Sequence, residues 1–148
     1  MPMRILVTGD REWECFEVAK LIVEKLCFNW AVEMYGNDIV FVHGGCRGVD
    51  LSVDKACRHY SVATECHPAD WSRGKHEGHA RNQRMVNTKP DMTIGFHKNI
   101  IRSRGTRDCL MRSCGAGIPT YLVDNDRGEF VKLKVVEGVL TFDREAVY

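Results

Sequence analysis

Hydrophobic positions along the chain fall into short continuous runs and stretches of helical period. Met3 to Thr8 is an apolar run ended by Gly9-Asp10, the mark of a buried strand. From Trp13 to about Trp30, Cys15, Val18, Ala19, Ile22 and Leu26 recur at helical spacing against a polar face of Glu14, Glu17, Lys20 and Glu24. A second apolar run, Asp38 to His43, stops at Gly44-Gly45. Val49, Val53, Ala56 and Tyr60 then mark a helix whose other face can pair Asp54 with Arg58. Ser61 to His67 is a third strand candidate. A polar loop leads into a helix from about His79 to Asn87, closed at Lys89-Pro90 because the residue before proline avoids the helical region. The alternation continues with a strand at Met92 to Phe96, a helix from Thr106 to Cys114 capped by Gly115 or Gly117, and a strand at Pro119 to Val123. The tail from Glu129 to Phe142 alternates apolar and polar residues, and Glu137-Gly138 predicts a terminal hairpin.

Strands alternating with helices predict an α/β fold. The expected architecture is a Rossmann-like parallel sheet of about five strands with helices on both faces, plus an antiparallel C-terminal hairpin. With 148 residues, and no linker, repeat or low-complexity tract, residues 1–148 read as a single domain. Apolar and charged fractions of 44% and 28% are ordinary globular usage. A net charge of +1 argues against a polycation built for bulk nucleic-acid binding. The seven cysteines show no repeated spacing and read as reduced thiols of a cytosol-like compartment. The first apolar run is too short for a signal peptide or a membrane span, so a cytoplasmic protein without membrane association is expected. His76 and His79 lie near Cys66 and His67 but lack the paired spacing of structural zinc; neither a metal nor a cofactor is expected.

In open parallel sheets, ligands bind outside the carboxyl ends of the strands. Four segments are predicted to meet there: Gly9 to Trp13, His43 to Asp50, His79 to Met85, and Arg102 to Asp108. In HGGCRGVD, from His43 to Asp50, a strand runs through Gly44-Gly45 and Arg47-Gly48 into a helix. Glycines let backbone approach a phosphate, and a helix start offers free N–H groups and the positive dipole end. It is neither a P-loop nor GxGxxG. Gly105-Thr106 repeats the logic, with Thr106 also suited to cap the following helix. Between Arg73 and Arg107, Lys and Arg far outnumber the two carboxylates, Glu77 and Asp91, so an anionic ligand is expected. Trp13 and Trp71 flank these segments, to stack on a base or to pack the loops.

Taken together, GDREW at the first strand, HGGCRGVD, the PADW of Pro68 to Trp71, RNQRM, and GTRD followed by GIPTYLV resemble the SLOG superfamily. They are most similar to its YspA-like branch, often encoded by phages and bacteria, and the resemblance runs from about Arg4 to Val123. It implies a Rossmann-like fold that binds nucleotides, nucleotide sugars or their derivatives. The LOG enzymes of that superfamily cleave nucleoside monophosphates between base and ribose phosphate. Their arginine matches Arg81 and their Gly-Thr turn matches Gly105-Thr106, but Cys109 stands where they carry a catalytic glutamate.

Three readings follow. In the first, the protein senses or sequesters a nucleotide-derived ligand. Arg47, Arg81 and Arg104 grip phosphates, Gly44, Gly45, Gly105 and Thr106 supply backbone amides, and Asp50 holds the loop or a ribose hydroxyl; Gly9, Arg11, Trp13, Gly48 and Asn82 complete the binding set. In the second, it is a nucleotide N-glycosidase using Arg81 with Asp10, Glu12, Asp50 or Asp108 in place of the missing glutamate. In the third, ranked last, it is a single-stranded nucleic-acid-binding module, as the DprA relatives are. A homo-oligomer is compatible with each reading.

Overall fold

The computed structural model describes residues 2–30 and 38–148. All its strands join one seven-stranded sheet. In chain order the elements are β1 (Met3–Gly9), α1 (Phe16–Glu24, continued by a π-helical turn Lys25–Trp30), β2 (Ile39–His43), α2 (Val49–His59), β3 (Ala63–Cys66), α3 (Glu77–Asn87), β4 (Met92–Phe96), α4 (Gly105–Gly115), β5 (Thr120–Val123), β6 (Val131–Val136) and β7 (Val139–Val147). Single 3-10 turns at Trp71–Arg73 and Ile100–Arg102 precede α3 and α4.

The sheet order is β3-β2-β1-β4-β5-β6-β7. The first five strands are parallel, and the β6–β7 hairpin extends the sheet antiparallel from β5. The predicted parallel sheet with a C-terminal hairpin is therefore what forms. Strand order reverses between β1 and β4, the switch point at which doubly wound sheets bind ligands.

The period-two geometry of β1 sorts its side chains. Ile5 and Val7 face α1 and α2, packing with Ala19, Ile22, Val53 and Ala56. Leu6 faces the other way and joins Val42, Met85, Val86 and Cys109 beneath α3 and α4. Such two-sided burial explains why β1, β2 and β4 are continuous apolar runs rather than alternating ones. The edge strand β3 is largely exposed, and its Glu65 pairs with Arg4.

Several boundaries shift: α1 begins at Phe16 rather than Trp13, and β7 runs to Val147, past the expected end at Phe142. Helix α3 begins at Glu77, two residues earlier than expected, because the polar loop turns through a 3-10 segment first. Helix α4 begins at Gly105, and Ser103 rather than Thr106 caps it: the Ser103 hydroxyl accepts from the Thr106 and Arg107 amides at 3.1 and 3.4 Å. Lys89 leaves α3 in the left-handed region, φ 57°, rather than in an extended conformation. The Glu137-Gly138 turn has positive φ at both residues, 51° and 78°, as a two-residue hairpin of type I′ requires. Among the described residues, no helix is long and apolar enough to cross a membrane.

Candidate functional site: a cleft at the switch point

The carboxyl ends of β1 and β4 are tied together by a hydrogen bond from the Asp10 amide to the Phe96 carbonyl, 3.0 Å. The chain then turns, and the Asp10 carbonyl accepts from the Val49 amide at the start of α2, 3.1 Å. That approach leaves no room at Gly48, whose φ is +78°; a Cβ there would run into the Asp10 and Arg11 carbonyls. A cleft of about 360 Å³ opens in front of these strand ends. All four predicted segments contribute to it: Gly9, Asp10 and Arg11; Cys46 and Asp50; His79, Arg81 and Asn82; and Ser103 to Thr106. The loop before α3 adds Trp71, Lys75 and Gly78.

The β2–α2 loop is held by two buried charges. One carboxylate oxygen of Asp50, Oδ2, accepts from the amides of Gly44 (3.1 Å) and Cys46 (3.2 Å). The other oxygen, Oδ1, is buried with no partner. Burial pushes the Asp50 carboxyl above the ordinary aspartate range, against the opposing pull of His43, the loop amides and Arg81. Arg81 is also buried, and its guanidinium donates to the Gly44 carbonyl at 2.9 Å and to Asn82 Oδ1 at 3.2 Å. Gly44 is a glycine for this reason, since a Cβ there would lie 2.6 Å from the Arg81 Cζ. Behind the loop, buried His43 accepts from the Gly45 amide at Nδ1, 3.0 Å. Its proton therefore sits on Nε2, which donates to Asp54, 2.9 Å.

On the opposite wall, Asn82 donates to the Gly105 carbonyl and to Asp108, fastening α3 to α4. Asp108 also pairs with Arg112 at 2.9 Å and approaches His79 at 3.6 Å. Asp10 accepts from the Glu12 amide through Oδ1, 2.9 Å, while its Oδ2 lies 3.8 Å from His97.

The predicted set thus divides. Gly9, Asp10, Arg11, Asp50, Arg81, Asn82, Arg104, Gly105 and Thr106 line the cleft. Gly44, Gly45 and Arg47 line an adjoining chamber of about 390 Å³ that is open to solvent and shares Arg11, Cys46 and Trp71 with the cleft. Glu12 and Arg47 pair with each other on the exposed rim. Gly48 and Trp13 border a different groove beside α1 and α2, where Trp13 meets Phe96 edge-on at 6.3 Å. Asp108 turns toward α3 and its own helix. Of the four carboxylates considered for catalysis, Asp10 and Asp50 line the cleft. Cys109 is fully buried beneath the sheet and its thiol is pushed up to about 12 by burial, so it performs none of the chemistry of a glutamate there. Sequence reasoning missed Gly78 and His97; Lys75 was counted only among the basic residues of the middle segment, and Ser103 lay inside the predicted Arg102 to Asp108 segment without a role of its own.

Fold and cleft together define a doubly wound α/β protein with an open cleft at its switch point. The family model described as "YspA, cpYpsA-related SLOG family" matches residues 3–74, which carry β1 to β3 and the Trp71 loop. The Gene 61 protein of Mycobacterium phage D29 is 35% identical over 122 residues, covering 78% of this chain and 92% of that relative. The chain belongs to the YspA, cpYpsA-related SLOG family. No solved structure matches it.

Proposed function

We propose that the cleft binds a nucleotide or nucleotide-derived ligand, which the protein senses or sequesters. One observation carries this reading. Arg11, Lys75 and Arg104 reach the same cleft from three separate segments, and among the described residues none of them makes an ion pair. Uncompensated cations around one concavity favour a phosphate. Gly105 at the start of α4 lines the same space, and a Cβ there would meet nothing within 4 Å, so the positive end of the helix dipole borders the cleft although Ser103 takes the Thr106 and Arg107 amides. Membership of the SLOG family points to nucleotide-related function. A volume of about 360 Å³ lies at the low end of the roughly 300–1,000 Å³ typical of small-molecule sites, and suits a single nucleotide better than a polymer.

The test is to incubate the protein with nucleoside monophosphates, cyclic nucleotides, NAD and ADP-ribose, and to identify bound and free material by mass spectrometry. Intact ligand retained at stoichiometric level is expected; retention of none refutes the reading. A second reading has its own observation, the raised carboxyl of Asp50 in a cleft that Asp10 also lines. A carboxyl of that kind is what general acid–base cleavage of an N-glycosidic bond uses. Free base in the same experiment, absent with Asp50→Asn, is the result that would favour the enzyme.

A further inference from the structure

Trp71 is an unusual residue for a loop. It is 47% exposed, yet it lines the cleft rather than the outer surface. Its position is built. Asp70 accepts from the Ser72 amide and hydroxyl, and the Trp71 carbonyl accepts from the Gly74 amide at 3.1 Å. The distal edge of the indole is pressed against Gly78 at the start of α3, where a Cβ would come within 2.8 Å of the ring. The backbone carrying the ring is therefore fixed by the turn, and the ring is braced along its distal edge.

Over it lies Arg11, whose guanidinium carbon is 5.0 Å from the ring centroid. Arg11 is exposed and, as noted, has no carboxylate partner. Arg11 and Trp71 also border both the main cleft and the adjoining chamber, so the stacked pair forms the partition between them. The other tryptophan near the site, Trp13, is taken up by Phe96 and by Lys98, 5.1 Å over its ring.

We propose that Trp71 is the stacking platform for the nucleobase of the ligand. Arg11 occupies the ring in the free protein, yields it to the base, and turns to the phosphate. This rests on the nucleotide reading above and assigns the base-binding end of the site. The exchange is favourable on magnitudes. An exposed cation over an indole is worth roughly 2- to 5-fold in equilibrium terms, whereas a stacked base contributes roughly 5- to 140-fold. Arg11 loses the weaker contact and gains a charge-assisted one.

The experiment is calorimetric titration of the full chain with the four nucleoside 5′-monophosphates and with ribose 5-phosphate, using wild type, Trp71→Leu and Trp71→Phe. Thermal melts of each variant check folding. Trp71→Leu is expected to weaken the best-bound nucleotide by roughly 5- to 140-fold. Ribose 5-phosphate should be held as before, and Trp71→Phe should recover most of the nucleotide affinity. Unchanged nucleotide affinity in Trp71→Leu overturns the platform, as does an equal loss for nucleotide and ribose 5-phosphate, or a Trp71→Phe variant as weak as the leucine. Failure of every nucleotide to bind wild type overturns the nucleotide reading itself, and the platform with it.

Discussion

Gly44→Ala tests whether the glycine of the β2–α2 loop serves a ligand or serves Arg81. Gly44 does not have positive φ, so alanine is allowed by the backbone. In isolation it should stabilise by about 0.4–1 kcal/mol through the unfolded chain. Its Cβ, however, would stand 2.6 Å from the Arg81 Cζ. Arg81 can retreat only into the cleft, because the rest of its side chain is buried. In doing so it gives up the 2.9 Å bond to the Gly44 carbonyl, worth about 1.5–3 kcal/mol for a charged donor. The net is a loss of about 1–2 kcal/mol, or about 2–8 °C in Tm for a chain of this size. Urea denaturation followed by circular dichroism measures it. The decisive comparison is with Arg81→Met, which removes the obstructing guanidinium. In that background Gly44→Ala should be neutral or stabilising, giving a coupling of about 1.5–3 kcal/mol. An equal cost in both backgrounds would refute the reasoning and return Gly44 to the role of a ligand-facing glycine.

Two further outcomes are expected. Ser103→Ala should cost about 0.5–2 kcal/mol in urea denaturation by uncapping α4; an unchanged midpoint would mean that the helix start is satisfied elsewhere. Glu65 is held down at about 2, against a usual 4.5, first by the hydrogen bond from Arg4 and then by that from His67. A lowered carboxyl favours the ionised folded state, so its contribution is complete above about pH 4.5 and is lost as pH falls toward about 2. Glu65→Gln should flatten the stability profile in that window, and a profile as steep as wild type would show that Glu65 is not its source.

Much of the fold was legible because hydrophobic period reports directly on burial. Met92 to Phe96 reads as a short, mostly apolar run and is a strand buried at every position, with both faces covered. Glu137-Gly138 reads as a turn from composition alone, and its dihedrals follow. What was illegible depends on distant partners. Ser103 and Thr106 are both capping residues, and only the approach of the chain through the preceding 3-10 turn decides that Ser103 reaches the amides. Trp13 and Trp71 were equivalent in sequence. They part because Phe96 ends β4 beside one, while Gly78 begins α3 beside the other. The pairing of Glu12 with Arg47, which moves both away from the cleft, joins residues 35 apart in the chain.

The glycine-rich loop carries the larger lesson about this site. Features that read as phosphate-binding in sequence are largely consumed within the protein. Two of the loop amides are taken by Asp50, the Gly44 carbonyl by Arg81, and Gly48 by the carbonyls that end the first turn. Those contacts make one rigid wall from β2, α2 and α3, because each joins a different pair of elements. Rigidity of this kind lowers the ordering cost of binding. It also separates two groups of cations. Arg81 is spent on shaping the cleft, so a variant lacking it loses the wall together with any ligand contact. Arg11, Lys75 and Arg104 line the same cleft and, among the described residues, make no ion pair; Arg11 lies over the Trp71 ring. On the proposed reading, recognition therefore falls to the exposed cations; of these, Arg11 and Arg104 belonged to the expected binding set, and Lys75 was read only as one of the basic residues of the middle segment.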